Sequence, residues 1–479
     1  MLRSGIIITV AAAVAATALA AEERKPRPKL PPDVEQVFGI AMAAPPEFAA
    51  SALLRLVHRV PEKELRRDLM DMAFHVAAKA QAPVKLLPAP GTEVDTRSGS
   101  LAAAFRLNMD ALSLQTRAIR DMIAVDPARA REMFGEMVPP SVAPAKCEDT
   151  LLPDVSPYYE AMAAVAQGTF TPAERARSEH LAFATAAFSR VSTIADLAPA
   201  ARSLAALECN RQQYEIALGT LSSKLEGIPP DSRSFLHFSK VIELAIQAAF
   251  ERARQLGAAP DPLIDAYRKF LVTQLRAPRC ADSVTPAGML QSASATELFG
   301  PRIRGDRPAL TTEELTPELT EGEMKLVRYW QTAGAQRVYA ECMKLRESPS
   351  GQTLSDGTRR SREWARQLTD FLSTLADWRA GEEASDADYY HEKATVYEAL
   401  LELVPTGDSG DRVAGGFVEF LKSSNLQQRN PVEWFWHARE TVNRVRTDHP
   451  ERAAKILSEY RASGNIILML EAMLDQMAL

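Results

Sequence analysis

Apolar positions recur three and four residues apart along most of the chain, the spacing of one face of a helix. After Pro45-Pro46, the residues Phe48, Ala52, Leu53, Leu56 and Val57 fall on one stripe. The block opened by Pro61 repeats the pattern with Leu65, Leu69, Met72, Phe74 and Val76. Leu101 to Val125 predicts a long amphipathic helix. The two-residue alternation of a half-buried strand is almost absent, and Ala, Leu, Glu, Arg and Met dominate. Thr171-Pro172-Ala173-Glu174 joins a capping box to a proline in the first turn, and Asn430-Pro431-Val432-Glu433 follows the same logic. The pattern predicts an all-α fold of about eighteen helices with short links, arranged as stacked α-hairpins in an α-solenoid-like array.

The N-terminus breaks this pattern. Met1-Leu2-Arg3-Ser4 carries one positive charge, Gly5 to Leu19 carries none, and Ala18-Leu19-Ala20 supplies small residues at a cleavage site. That is the plan of a secretory signal over residues 1–20, and it predicts export to the periplasm or the extracellular space. Residues 21–32 hold four prolines among charges and predict a disordered spacer. No later stretch is long and apolar enough to span a membrane. Composition then narrows the class. The 479 residues are 46% hydrophobic and 25% charged, which excludes a wholly disordered chain and a multi-span membrane protein. The net charge of −6 argues against nucleic acid as a partner.

The four cysteines suggest an internal duplication. Cys147 and Cys209 are 209 − 147 = 62 residues apart, and Cys280 and Cys342 are 342 − 280 = 62 apart. Cys147-Glu148-Asp149-Thr150 is similar to Cys280-Ala281-Asp282-Ser283, and Glu208-Cys209 to Glu341-Cys342. Asp126-Pro127 and Asp261-Pro262 precede the two units. The expected division is a first helical-repeat region over 33–257 and a second over 258–479. In an exported chain an even cysteine count favours disulfides, here Cys147–Cys209 and Cys280–Cys342, one per unit. Four buried thiols are the alternative. No C-x-x-C spacing supports zinc.

Pro45-Pro46-Glu47-Phe48-Ala49, Arg66-Arg67-Asp68-Leu69, Asp110-Ala111-Leu112-Ser113-Leu114-Gln115 and Asp126-Pro127-Ala128-Arg129 resemble an uncharacterised group of exported bacterial α-helical proteins. The Cys147 segment ending in Tyr158-Tyr159 fits the same group, so the resemblance covers roughly the first 210 residues. It implies export and helical architecture, and no activity. A looser similarity is to tetratricopeptide-type hairpins, although their signature residues do not recur here at the expected period.

Catalytic words fail on context. Gly407-Asp408-Ser409-Gly410 resembles the serine word of trypsin-like proteases but lies between helices, with no strand scaffold. Gly288-Met289-Leu290-Gln291 resembles a lytic transglycosylase word, but Glu347-Ser348 lies downstream of it rather than upstream. Arg304-Gly305-Asp306 reads as a loop. The densest acidic cluster is Glu382, Glu383, Asp386, Asp388, His391 and Glu392. It offers a cation or acid–base site, but Ser385 with Asp388 reads better as a helix cap. No H-E-x-x-H is present among the seven histidines. Trp434, Trp436 and His437 form an aromatic word; the two indoles stand about 200° apart on a helix, so one is expected to face a neighbour or a ligand. The expectation is an exported scaffold that binds a protein or peptide partner, without catalytic, metal or cofactor residues assigned. The alternative is an envelope hydrolase or lyase acting on glycan through carboxylates the sequence does not place.

Overall fold

Prolines and short polar side chains set most helix starts. Asp110, Asp126, Asn210, Asp231, Ser361, Ser385 and Asn430 each accept a backbone N–H of the first turn, supplying donors that the helix itself leaves without acceptors. Thr171 and Glu174 form the expected reciprocal box. The computed structural model describes residues 29–89, 96–278, 297–311, 314, 333–347, 352–359, 361–381, 385–405 and 407–478. The expected signal segment, most of the spacer, Glu382, Glu383, the Gly288 word and Cys280 lie outside them.

The first half contains α1 (Pro32–Ala41), α2 (Pro46–Leu56), α3 (Lys63–Ala77), α4 (Thr96–Phe105), α5 (Ala111–Ile123), α6 (Pro127–Glu136), α7 (Ser156–Gly168), α8 (Pro172–Ala176), α9 (Glu179–Phe188), α10 (Ile194–Ala206), α11 (Arg211–Leu225), α12 (Ser232–Leu256) and α13 (Asp261–Arg276). The second half contains α14 (Pro301–Arg304), α15 (Ala333–Arg346), α16 (Asp356–Arg359), α17 (Arg362–Asp377), α18 (Asp386–Leu403), α19 (Asp408–Ser423), α20 (Leu426–Arg429), α21 (Pro431–Asp448), α22 (Pro450–Ala462) and α23 (Ile466–Ala478). None is long and apolar enough to cross a membrane among the described residues. The fold is an all-α array, as the periodicity predicts. The single helix expected over Leu101–Val125 is instead two, α4 and α5, separated at residues 106–110, and a short antiparallel ribbon is added, β1 (Lys85–Pro88) with β2 (Leu151–Asp154), in register Lys85↔Asp154.

Helices pack mostly on elements one to three places along the chain. α3 lies on α5, α5 on α7, α7 on α9 and α10, α10 on α12, and α11 on α13. That is the stacking of hairpins, in which each unit buries its apolar face on its neighbour. The core is one cluster running from Val34 to Leu474, and it continues across Gly257, where α13 packs on α11 and α12. Gly257 (φ +69°) closes α12 in the left-handed region that glycine tolerates.

The ends of the described chain meet. α23 packs on α1 and α2, and α4 is covered by α18 and α21. Phe48 of α2 meets Phe435 of α21 edge to face at 5.1 Å, and Arg55 Nη1 reaches Glu471 Oε2 at 2.9 Å. The array is closed on itself rather than open-ended.

The cysteines correct the expected bridges. Cys209 and Cys342 are free thiols, so neither Cys147–Cys209 nor Cys280–Cys342 forms. Cys147 is disulfide-bonded elsewhere. The two cysteine words also occupy different structures. Cys209 lies in the extended link before Asn210 caps α11, whereas Cys342 is buried within α15. Asp126 caps α6, whereas Asp261 is the first residue of α13 behind Pro260. The Cys209 and Cys342 words, and the Asp126 and Asp261 words, therefore occupy different local structures.

Candidate functional site

Two helices in the second half face each other with polar seams. On α18, His391 and Glu398 are seven residues apart and share a face; on α21, Glu433, His437 and Thr441 recur every four. These are positions that a core helix normally fills with leucine. The seams meet as one buried chain. Glu433 Oε1 lies 2.6 Å from His391 Nε2, His391 Nδ1 lies 2.8 Å from His437 Nε2, and His437 Nδ1 lies 2.7 Å from Glu398 Oε1. Asn430 Nδ2 donates to Glu433 Oε2 at one end. Thr441 and Arg444 donate to Glu398 at the other.

Three hydrogen bonds between the four groups need three protons, one more than two neutral imidazoles carry. Burial is the largest influence on His391 and pushes its pKa below the ordinary histidine value, against the pull of Glu433. The Glu433 end also lines a small cavity of about 140 Å³ between α4 and α21, shared with Gln81, Phe105 and Asp110. The arrangement is a hydrogen-bonded path between that cavity and Arg444, whose side chain is 47% exposed.

The expected site residues separate. Asp388 accepts from Ser385 N and Ser385 Oγ, so it is a cap. Glu392 is buried beside it, with Oε2 lacking a partner. Burial first, and the Asp388 charge second, raise its pKa to about 8. Trp434 is 0% exposed and donates Nε1 to Leu421 O. His437 is buried within the seam. Neither can meet a partner at the surface, which corrects the expected aromatic binding word; only Trp436 is partly exposed. The α22-facing side of α21 and its α18-facing side are both occupied, so the 200° separation of the indoles is absorbed mostly by packing. Among the described residues no cluster of three or more His, Cys, Asp or Glu is placed to hold a metal.

A larger concavity lies between α15 and α17. Its volume is about 940 Å³. Met343, Leu345, Leu354, Trp364 and Phe371 supply apolar walls, and Glu341, Glu347, Glu363 and Asp370 supply carboxylates; Lys344 is the one cation among the described lining residues, and Glu363 is paired with Arg366 at 2.8 Å. Trp364 is anchored by donating Nε1 to Leu345 O. The side chain of Arg366 beside Glu363 holds that carboxyl below its usual range, so it stays ionised at neutral pH.

Comparison with protein-family models, with curated proteins and with solved structures finds no match for the chain.

Proposed function

We propose that the chain is an exported helical scaffold that holds a basic, amphipathic segment of a protein partner in the groove between α15 and α17. The groove composition carries this reading: an apolar floor with Glu341, Glu347 and Asp370 beside the Arg366-paired Glu363, and one lysine among the described lining residues. An amphipathic helix lays its apolar face into such a groove, and lysines or arginines flanking that face would meet the carboxylates. The volume suits several side chains of a bound segment. Surface carboxylates contribute little as single pairs, so their effect here is selection of sign and speed of encounter.

The test is fluorescence anisotropy with two labelled helical peptides of equal apolar face, one lysine-rich and one glutamate-rich. The lysine-rich peptide is expected to bind at least tenfold tighter, with affinity falling as salt rises. The double variant Glu363→Lys with Asp370→Lys is expected to abolish that preference. Equal binding of both peptides, or a preference that survives the variant, sinks the reading. Release of soluble fragments from cell-wall glycan by the purified protein would point to the hydrolase or lyase alternative.

A further inference from the structure

Lys393 is a buried amine bonded to a carbonyl and a phenol rather than to a carboxylate among the described residues. The residue is 4% exposed, on the opposite side of α18 from the histidine seam. Its Nζ donates to Trp378 O at 3.1 Å and to Tyr389 Oη at 2.9 Å. Tyr389 Oη in turn donates to Trp378 O at 2.5 Å. The ammonium also stands 5.3 Å from the centre of the Tyr389 ring and 5.5 Å from that of Phe420. No carboxylate pairs with it among the described residues. A neutral amine fits these bonds: two N–H groups are used, and the nitrogen lone pair remains unengaged.

That amine lines a cavity of about 570 Å³, within the range of small-molecule sites. Tyr389, Tyr397 and Phe420 give it aromatic walls. The acidic groups at the cavity are engaged elsewhere: Asp386 pairs with Arg429 at 3.2 Å, and Glu419 with Lys422 at 2.8 Å. Arg379 also lines the cavity and donates to the main-chain oxygens of Ala376 and Trp378. Among the described residues no carboxylate pairs with it. Burial first, and Arg379 second, lower the Lys393 pKa to about 8, against the opposing charge of Asp377.

We propose that Lys393 is the nucleophilic amine of a binding site for a small aldehyde or ketone that carries a carboxylate, with Arg379 receiving the carboxylate. The lone pair of neutral Nζ adds to the carbonyl carbon, and the C=O electron pair moves to oxygen, which takes a proton. Loss of that oxygen as water, with the second nitrogen proton, leaves an imine. The balance is amine plus carbonyl giving imine plus water, with no oxidant or reductant. The site is independent of the groove between α15 and α17.

The full chain is incubated at pH 7 with glyoxylate and cyanoborohydride, which traps an imine as a carboxymethyl amine, and the modified lysines are mapped by mass spectrometry. Lys393 is expected to be labelled at least tenfold faster than the exposed Lys422 and Lys455. The advantage follows from its larger neutral fraction, on the order of a hundredfold at this pH. Its rate is expected to level off above about pH 8, while that of Lys455, which Glu459 holds above the usual lysine range, keeps rising. Arg379→Gln is expected to reduce labelling by glyoxylate while leaving that by acetaldehyde unchanged. Labelling of Lys393 in the unsubstituted protein no faster than Lys422 overturns the proposal, without recourse to a variant that fails to fold. Equal rates with glyoxylate and acetaldehyde overturn the role of Arg379.

Discussion

Glu392 and Lys393 are adjacent residues whose burial works on opposite charges. Each is more easily kept neutral in the folded chain than in water, and each has a pKa near 8 in the fold. Their effects on stability occupy different pH windows. For Glu392 the folded state keeps a proton that the unfolded chain gives up above its ordinary pKa of 4.5. Stability from this group is complete below 4.5 and is lost as pH rises to about 8. For Lys393 both states are protonated below about 8, so its burial cost is complete there and is relieved as pH rises towards 10.5. Glu392→Gln keeps the shape and removes the titration. The expected result is a variant more stable than the parent at pH 8, with a ceiling of about 5 kcal/mol from the size of the shift. Near pH 4.5 the difference shrinks towards zero. Urea denaturation at the two pH values measures it; an unchanged difference between them would refute the assignment of Glu392 as a buried, unpartnered acid.

At the scale of elements, the sequence was informative where local rules decide. Ser385 and Asp388, Thr171 and Glu174, and Asn430 and Glu433 announce their helices by spacing alone, and the helices are there. The ribbon was not legible, because its strands are four residues long and carry Pro88 and Pro153, which read as link residues. The histidine seam was half legible. His391 and His437 were both singled out, but for separate reasons, since a contact across 46 positions depends on how two helices dock. The cysteines show the same limit. Equal spacing suggested two bridges, yet Cys209 and Cys342 remain thiols and Cys147 is bonded. Only Cys280 is left in the sequence as its partner. Peptide mapping without reduction should join the Cys147 and Cys280 peptides and release Cys209 and Cys342 as separate alkylated peptides after unfolding. Burial raises both of those thiol pKa values, Cys342 to about 11, so slow alkylation in the native state is expected. Recovery of a Cys147–Cys209 peptide would restore the duplicated arrangement.

For the whole molecule, closure is the feature that helical periodicity could not disclose, because every hairpin obeys the same local pattern whether the array ends open or shut. Its consequence is that stability couples residues far apart in sequence. α23 places Ile467, Leu468, Leu470 and Leu474 in the core and bears on α1, α2 and α22. Arg55 and Glu471 bridge the same junction, and Arg439 approaches Glu471 from α21. Removing residues 466–479 uncovers the apolar faces of α1 and α2, although more than 400 positions separate them along the chain. Hydrogen exchange of the truncated protein is therefore expected to quicken in Pro32–Leu56 as well as in Pro450–Ala462. The helices α10 to α13, whose main packing partners do not include α23, are expected to keep their protection. In an open array the loss would stop at the neighbouring α22, as it does when a terminal repeat is removed from a linear stack. A milder probe is Phe48→Ala, which empties one side of the Phe48–Phe435 contact without shortening the chain. It is expected to cost about 3–5 kcal/mol and to quicken exchange at Phe435. If exchange rises around position 48 alone, the two ends of the array do not fold as one unit.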